Sequence, residues 1–213
     1  MIVTIDRNIL LPVEDNRYSK TDVSFSLSQA TLIAAGISPV IGVVVFGLYS
    51  VMWGMDSLLA ARSHFWAWQI LLPIIAISVV VHEGLHCIGY VGFAHIPWKT
   101  VRFGFSVRSL AAYVHSDSPM SISAYRRLMA LPGVILGVLP VFVGVAWEMG
   151  SMTLYGFLML IGASGDLAIL WKIRRVSPES LVIDHPFRAG CWVLCERREE
   201  DHPSSDAERQ THA

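Results

Sequence analysis

The sequence predicts an all-α integral membrane protein: four transmembrane helices, with a small cytoplasmic β-hairpin between helices 2 and 3. Three observations carry that prediction. Hydrophobic residues make up 54% of the 213 and charged ones only 15%, with a mean hydropathy of +0.52, a composition outside the range of ordinary soluble domains. The apolar residues fall in stretches long enough to cross a hydrocarbon core of about 30 Å. Basic residues between those stretches crowd onto one side, as expected when cytoplasmic loops retain Lys and Arg. A net charge of −1 and a pI near 6.7 argue against nucleic acid as a partner. Three cysteines, Cys87, Cys191 and Cys195, leave one over in any pairing and lack a paired-thiol zinc spacing, which argues against a disulfide framework.

Taken in order, residues 1–30 are expected to form a cytoplasmic N-terminal segment. Met1 to Asp22 carries Asp6, Arg7, Glu14, Asp15, Arg17 and Lys20 and lacks the basic, apolar and cleavage regions of a secretory signal, so the first span is read as an uncleaved anchor. Residues 31–192 are expected to be the four-span domain, with spans at about Thr31 to Gly54, Trp66 to Tyr90, Leu128 to Trp147 and Ser151 to Ile173. Pro73, Pro132 and Pro140 lie in or near them, which membrane helices tolerate. Trp66, Trp68 and Trp147 suit interfacial anchors. With four spans, Arg7, Arg17, Lys20, Lys99, Arg102, Arg126, Arg127 and Arg174 share one side and Arg62 stands on the other. Both termini are therefore expected in the cytoplasm, with the protein in the plasma or inner membrane. Residues 193–213 form the tail, polar from about Arg197 and expected to be disordered.

The middle loop has structure of its own. Val101, Phe103, Phe105 and Val107 alternate with Arg102, Gly104, Ser106 and Arg108, the period of two of a strand. A break near Arg108 and Ser109 and a second apolar run, Leu110 to Val114, predict a hairpin. Ser121-Ile122-Ser123 can open the helix leading into span three.

Span two ends on His82-Glu83-Gly84-Leu85-His86. Residues four apart lie on one helix face, so His82 and His86 can hold one metal ion together. Glu83 stands about 100° round the helix, beside the metal rather than on it. Two imidazoles and an adjacent carboxylate are what a zinc hydrolase needs, because zinc acidifies a water and the carboxylate accepts its proton. The bland alternative is a pair of polar residues packing between helices. A third ligand is sought in span four, where Asp166 is the acidic residue inside the apolar run. At about 1.5 Å per residue, His82 lies roughly 24 Å from the outer start of its span and Asp166 roughly 22 Å from that of its own. Lys172 or Arg174 is the alternative partner for that carboxylate.

HEGLH at the inner end of a span, then SPMSISAYRRLMALPG, GASGDLAIL and VIDHP in that order, resemble a family of zincin-type membrane peptidases distantly similar to the site-2 proteases. The likeness covers about residues 75 to 192. It implies His82, His86 and Asp166 as zinc ligands and Glu83 as general base. The acid here sits in Gly165-Asp166-Leu167, which differs from the Asp-Gly pair of the site-2 proteases.

Rival ligands are weighed beside these. His95 lies nine residues beyond His86, and the metzincin spacing falls on Gly92 instead. His115 and Asp117 suit a solvated loop. Asp184-His185-Pro186 suits either an orienting role near the metal or a turn. Cys87 suits core packing, and Cys191 and Cys195 suit packing or membrane-surface contact. The expectation is a membrane-embedded Zn2+-dependent metallopeptidase acting on protein or peptide substrates in or near the lipid bilayer. The alternatives are a catalytically inactive zinc-stabilised scaffold or regulator, and a proton-relay transporter using His82, Glu83 and Asp166 as titrating groups.

Overall fold

Ser26 opens the first long helix, α1 (Leu27–Trp53), with a reciprocal cap. Its hydroxyl accepts the Gln29 N–H while the Gln29 side chain accepts the Ser26 N–H, satisfying two donors that the helix start leaves open. The computed structural model in which this is seen describes residues 18–65, 68–106, 111–178, 180–185 and 188–196. Gly54, at φ 81°, separates α1 from the shorter α2 (Met55–Phe65). The second long helix, α3 (Trp68–Gly92), ends as Ala94 N–H turns back to the Gly89 carbonyl and Ile96 N–H to that of Tyr90, with His95 left-handed at φ 54°.

The third candidate span takes three conformations: α4 (Ile122–Pro132), a π-helical turn (Gly133–Val138) and α5 (Leu139–Ala146). The fourth apolar run is broken. Helices α6 (Gly150–Gly162) and α7 (Ser164–Ile173) meet at Ala163 with a bend of 53°. Among the described residues, three helices are long and apolar enough to cross a membrane, or four if the bent pair counts as one span. Their outer faces stay apolar, with Val51 86%, Val43 75% and Val80 72% exposed. Water would penalise such faces; lipid tails do not.

Two sheets are found among the described residues. Strands β2 (Arg102–Ser106) and β3 (Ala111–His115) pair antiparallel, Arg102 opposite His115 and Ser106 opposite Ala111. That is the expected hairpin, although Val107, Arg108, Ser109 and Leu110 lie outside the described residues. The expectation of an otherwise all-α protein needs correction. A four-stranded antiparallel sheet runs in the order β1 (Tyr18–Asp22), β6 (Cys191–Glu196), β5 (Leu181–Asp184), β4 (Met120–Ser121). It joins a charged N-terminal segment to the C-terminal apolar run. The Trp66 anchor, Pro186 and the tail from Arg197 lie outside the described residues.

The main core lies where α3, α4 and α7 meet the sheet: Cys87, Tyr90, Tyr125, Leu128, Ile169, Ile173, Val182, Cys191 and Val193 are all buried there. A second, smaller core around Tyr49, Leu58, Val145 and Leu154 holds the other end of the bundle. The metal-ligand candidates lie on the helices that the main core joins.

Candidate metal centre

Along α3, four residues at i, i+4 intervals form one polar ridge: Ser78, His82, His86 and Tyr90. A helix turn of 3.6 residues keeps such a series near one face, and its members meet α4, α6, α7 and β5 in turn. The Ser78 hydroxyl lies 3.0 Å from that of Tyr155 on α6. His82 Nε2 stands 3.2 Å from Asp166 Oδ2 on α7, and His86 Nε2 stands 3.6 Å from the same oxygen. His86 Nδ1 faces the Leu128 carbonyl on α4 at 3.3 Å. The Tyr90 hydroxyl donates to the Asp184 carboxylate on β5.

The bend at Ala163 places Asp166 in the first turn of α7, where the helix dipole favours negative charge. Ala163 and Ser164 are buried, and small side chains at the bend let it seat among its neighbours. The alternative partners of Asp166 are engaged elsewhere. Lys172 donates to the Ser24 carbonyl at 3.0 Å and lies over the Phe25 ring, while Arg174 packs over Trp171 and donates to its carbonyl.

One ligand atom each from His82, His86 and Asp166 lie within 4.8 Å of one another. Asp166 Oδ2 is buried yet receives no well-formed hydrogen bond from any described residue. A buried carboxylate oxygen facing two imidazole nitrogens in this way fits a cation, and the nitrogen and oxygen donors suit zinc. The two rings are nearly perpendicular, at 77° with centroids 4.9 Å apart, so their nitrogens converge from different directions. Glu83 is half-buried. Its carboxylate faces the Val114 backbone amide of β3, and its place between His82 and His86 on α3 puts it beside the ligand set.

The rivals fall away from this cluster. His95 terminates α3. His115 Nε2 lies 2.7 Å from Asp117, which also pairs with Arg102 at 3.3 Å. The His185 ring packs on Trp192 with centroids 4.9 Å apart. Cys87 and Cys191 are buried in the main core, and Cys195 is exposed near the end of β6.

Asp184 is only 5% exposed. It accepts from Tyr90 and from the Ser116 N–H at 3.2 Å, with His115 Nδ1 at 3.9 Å and Tyr125 nearby. Burial raises its pKa above the ordinary carboxylate value, against those hydrogen bonds. The residue ties the metal helix to the segment leaving β3. The contacts of the Leu128 carbonyl with His86 and of Tyr90 with Asp184 were not foreseen; for Tyr90 the signal was present, in its place one turn beyond His86.

No curated protein and no solved structure matches the chain. A family model described as "Putative zincin peptidase" matches residues 75–181, a stretch that begins one turn before Ser78 and ends at the first residue of β5. It takes in both imidazoles, Glu83 and Asp166. The chain belongs to this zincin peptidase family.

Proposed function

We propose that the chain is a membrane-embedded zinc metallopeptidase that hydrolyses peptide bonds of substrates in or beside the bilayer. The observation that supports this most is the orphaned Asp166 oxygen aimed at two imidazole nitrogens, in a chain whose family is that of zincin peptidases. His82, His86 and Asp166 hold the metal. When bound, zinc supplies Lewis-acid polarisation of the scissile carbonyl and makes a water acidic near neutral pH.

The chain's own groups do the rest. Glu83 takes the proton of the attacking water as its oxygen bonds to the carbonyl carbon. It then delivers that proton to the departing amine nitrogen as the C–N bond breaks. The leaving amine and the new carboxylate thus balance the water consumed. Substrate must be extended for its carbonyl to be reached. Strand β3 packs on α3; among the described residues it pairs only with β2, and its Val114 amide faces Glu83. A substrate strand adds along that edge through main-chain hydrogen bonds. The bent α6–α7 pair acts as the fourth span, with both termini and the hairpin in the cytoplasm, in keeping with the basic loops.

The test is Glu83→Gln in the detergent-purified full chain. Zinc content should stay at the wild-type level while hydrolysis falls by about 10²–10⁴-fold. Unchanged hydrolysis would reject Glu83 as the base. Removing the hairpin should abolish cleavage and leave zinc in place; parallel loss of zinc would make the hairpin structural.

A further inference from the structure

Pro132 has no N–H, so the carbonyl of Leu128, four residues earlier on α4, lacks the donor that a helix would normally supply. The next amide does not replace it, because Gly133 N–H turns instead to the Ala130 carbonyl. That Leu128 carbonyl is the group that faces His86 Nδ1 at 3.3 Å. The approach depends on a second residue. A Cβ on Gly89 would lie 2.8 Å from Leu128 Cβ and 3.0 Å from its Cα, so only glycine lets α3 come this near the α4 backbone. His86, Gly89, Leu128 and Pro132 are all buried, and in that setting a carbonyl without a donor is costly.

We infer that Pro132 and Gly89 are positioning residues for the metal centre: Pro132 releases the Leu128 carbonyl, and Gly89 brings it to His86. The carbonyl then accepts the Nδ1–H of His86, which fixes the tautomer with the lone pair on Nε2, the nitrogen that faces Asp166. Metal-bound imidazoles depend on such an outer acceptor, and its loss typically weakens metal binding about 10–100-fold. The inference rests on the zinc reading given above but makes a separate claim, that a helix proline works as an acceptor switch for a histidine on a neighbouring helix.

Pro132→Ala tests it. The backbone at 132 is helical, at φ −62° and ψ −44°, which alanine adopts without strain. The new N–H would compete with His86 for the Leu128 carbonyl. Zinc affinity of the purified full chain, measured by chelator competition, should fall about tenfold or more in Pro132→Ala. It should be unchanged in Pro140→Ala, which alters a helix proline on α5. Equal affinity in Pro132→Ala and wild type would overturn the inference, as would the same loss in both variants. Wild type that takes up no zinc would instead overturn the zinc reading itself. Nitrogen-15 NMR of the ring of His86 in the wild-type chain gives a readout independent of any variant's folding. Protonated Nδ1 with unprotonated Nε2 is expected, and the opposite tautomer would overturn the inference.

Discussion

Asp166 is a charge on a largely apolar helix, where its burial is expensive unless a partner compensates. The two imidazoles supply only part of that compensation, since its inner oxygen is left without a well-formed hydrogen bond from any described residue. Asp184 presents the opposite case, a buried acid with its acceptors filled. Its raised pKa means the folded state holds the proton more tightly than the unfolded chain. The associated stability is fully present below the ordinary value of 3.8 and is lost as pH rises through the folded value above it. An amide oxygen at this position would still accept from Tyr90 and Ser116, so Asp184→Asn should melt at least as high as wild type at pH 7. It should also flatten the fall in melting temperature above pH 4. The groups facing this position are Tyr90, Tyr125 and His115. A variant melting well below wild type at pH 7 would show that the ionised form is needed.

At the scale of elements, the bundle is set by glycines on α5, α6 and the π-helical turn. A Cβ on Gly156 would lie 2.7 Å from both the Gly137 carbonyl oxygen and the Val141 nitrogen. Backbone atoms cannot rotate away as a side chain can, so Gly156→Ala should lower stability by about 1–3 kcal/mol, read from thermal melting in detergent. An unchanged melting temperature would show that α5 and α6 are free to separate. Much at this scale was legible beforehand. Apolar runs announced the long helices, and the alternation from Val101 announced β2. The HEGLH spacing put His82 and His86 on one face, and the depth of Asp166 suggested its approach to them. Other features gave no local signal. The π-helical turn and the break at Ala163 lie inside uniformly apolar sequence. The role of Pro132 depends on which helix lies opposite Leu128, a tertiary fact that no window of sequence contains.

Across the whole molecule, the four-stranded sheet was the least legible feature. Strand β1 is a polar YSKTD, β4 has 2 residues, and Tyr18 pairs with Glu196 from the other end of the chain. Such non-local pairing leaves no periodicity to read. Its consequence is that β5 and β6 bring Val182, Cys191 and Val193 into the main core beside α3, with β1 paired along the outer edge of β6. Burial there pushes the Cys191 thiol up to about 12, whereas Cys195 on the same strand is exposed. A maleimide at pH 7 should therefore label Cys195 rapidly and Cys191 only on unfolding, since the thiolate is the reactive form. Rapid labelling of both by mass spectrometry would mean that the sheet is open.

The proposed activity depends most on α3 and α7 sharing one divalent ion. Elemental analysis of the purified wild-type chain beside Asp166→Ala tests this directly. About one zinc per chain is expected in wild type, and little or none in the variant, because two imidazoles alone bind too weakly to retain it through purification. Equal zinc in both proteins, or none in wild type, would contradict the site.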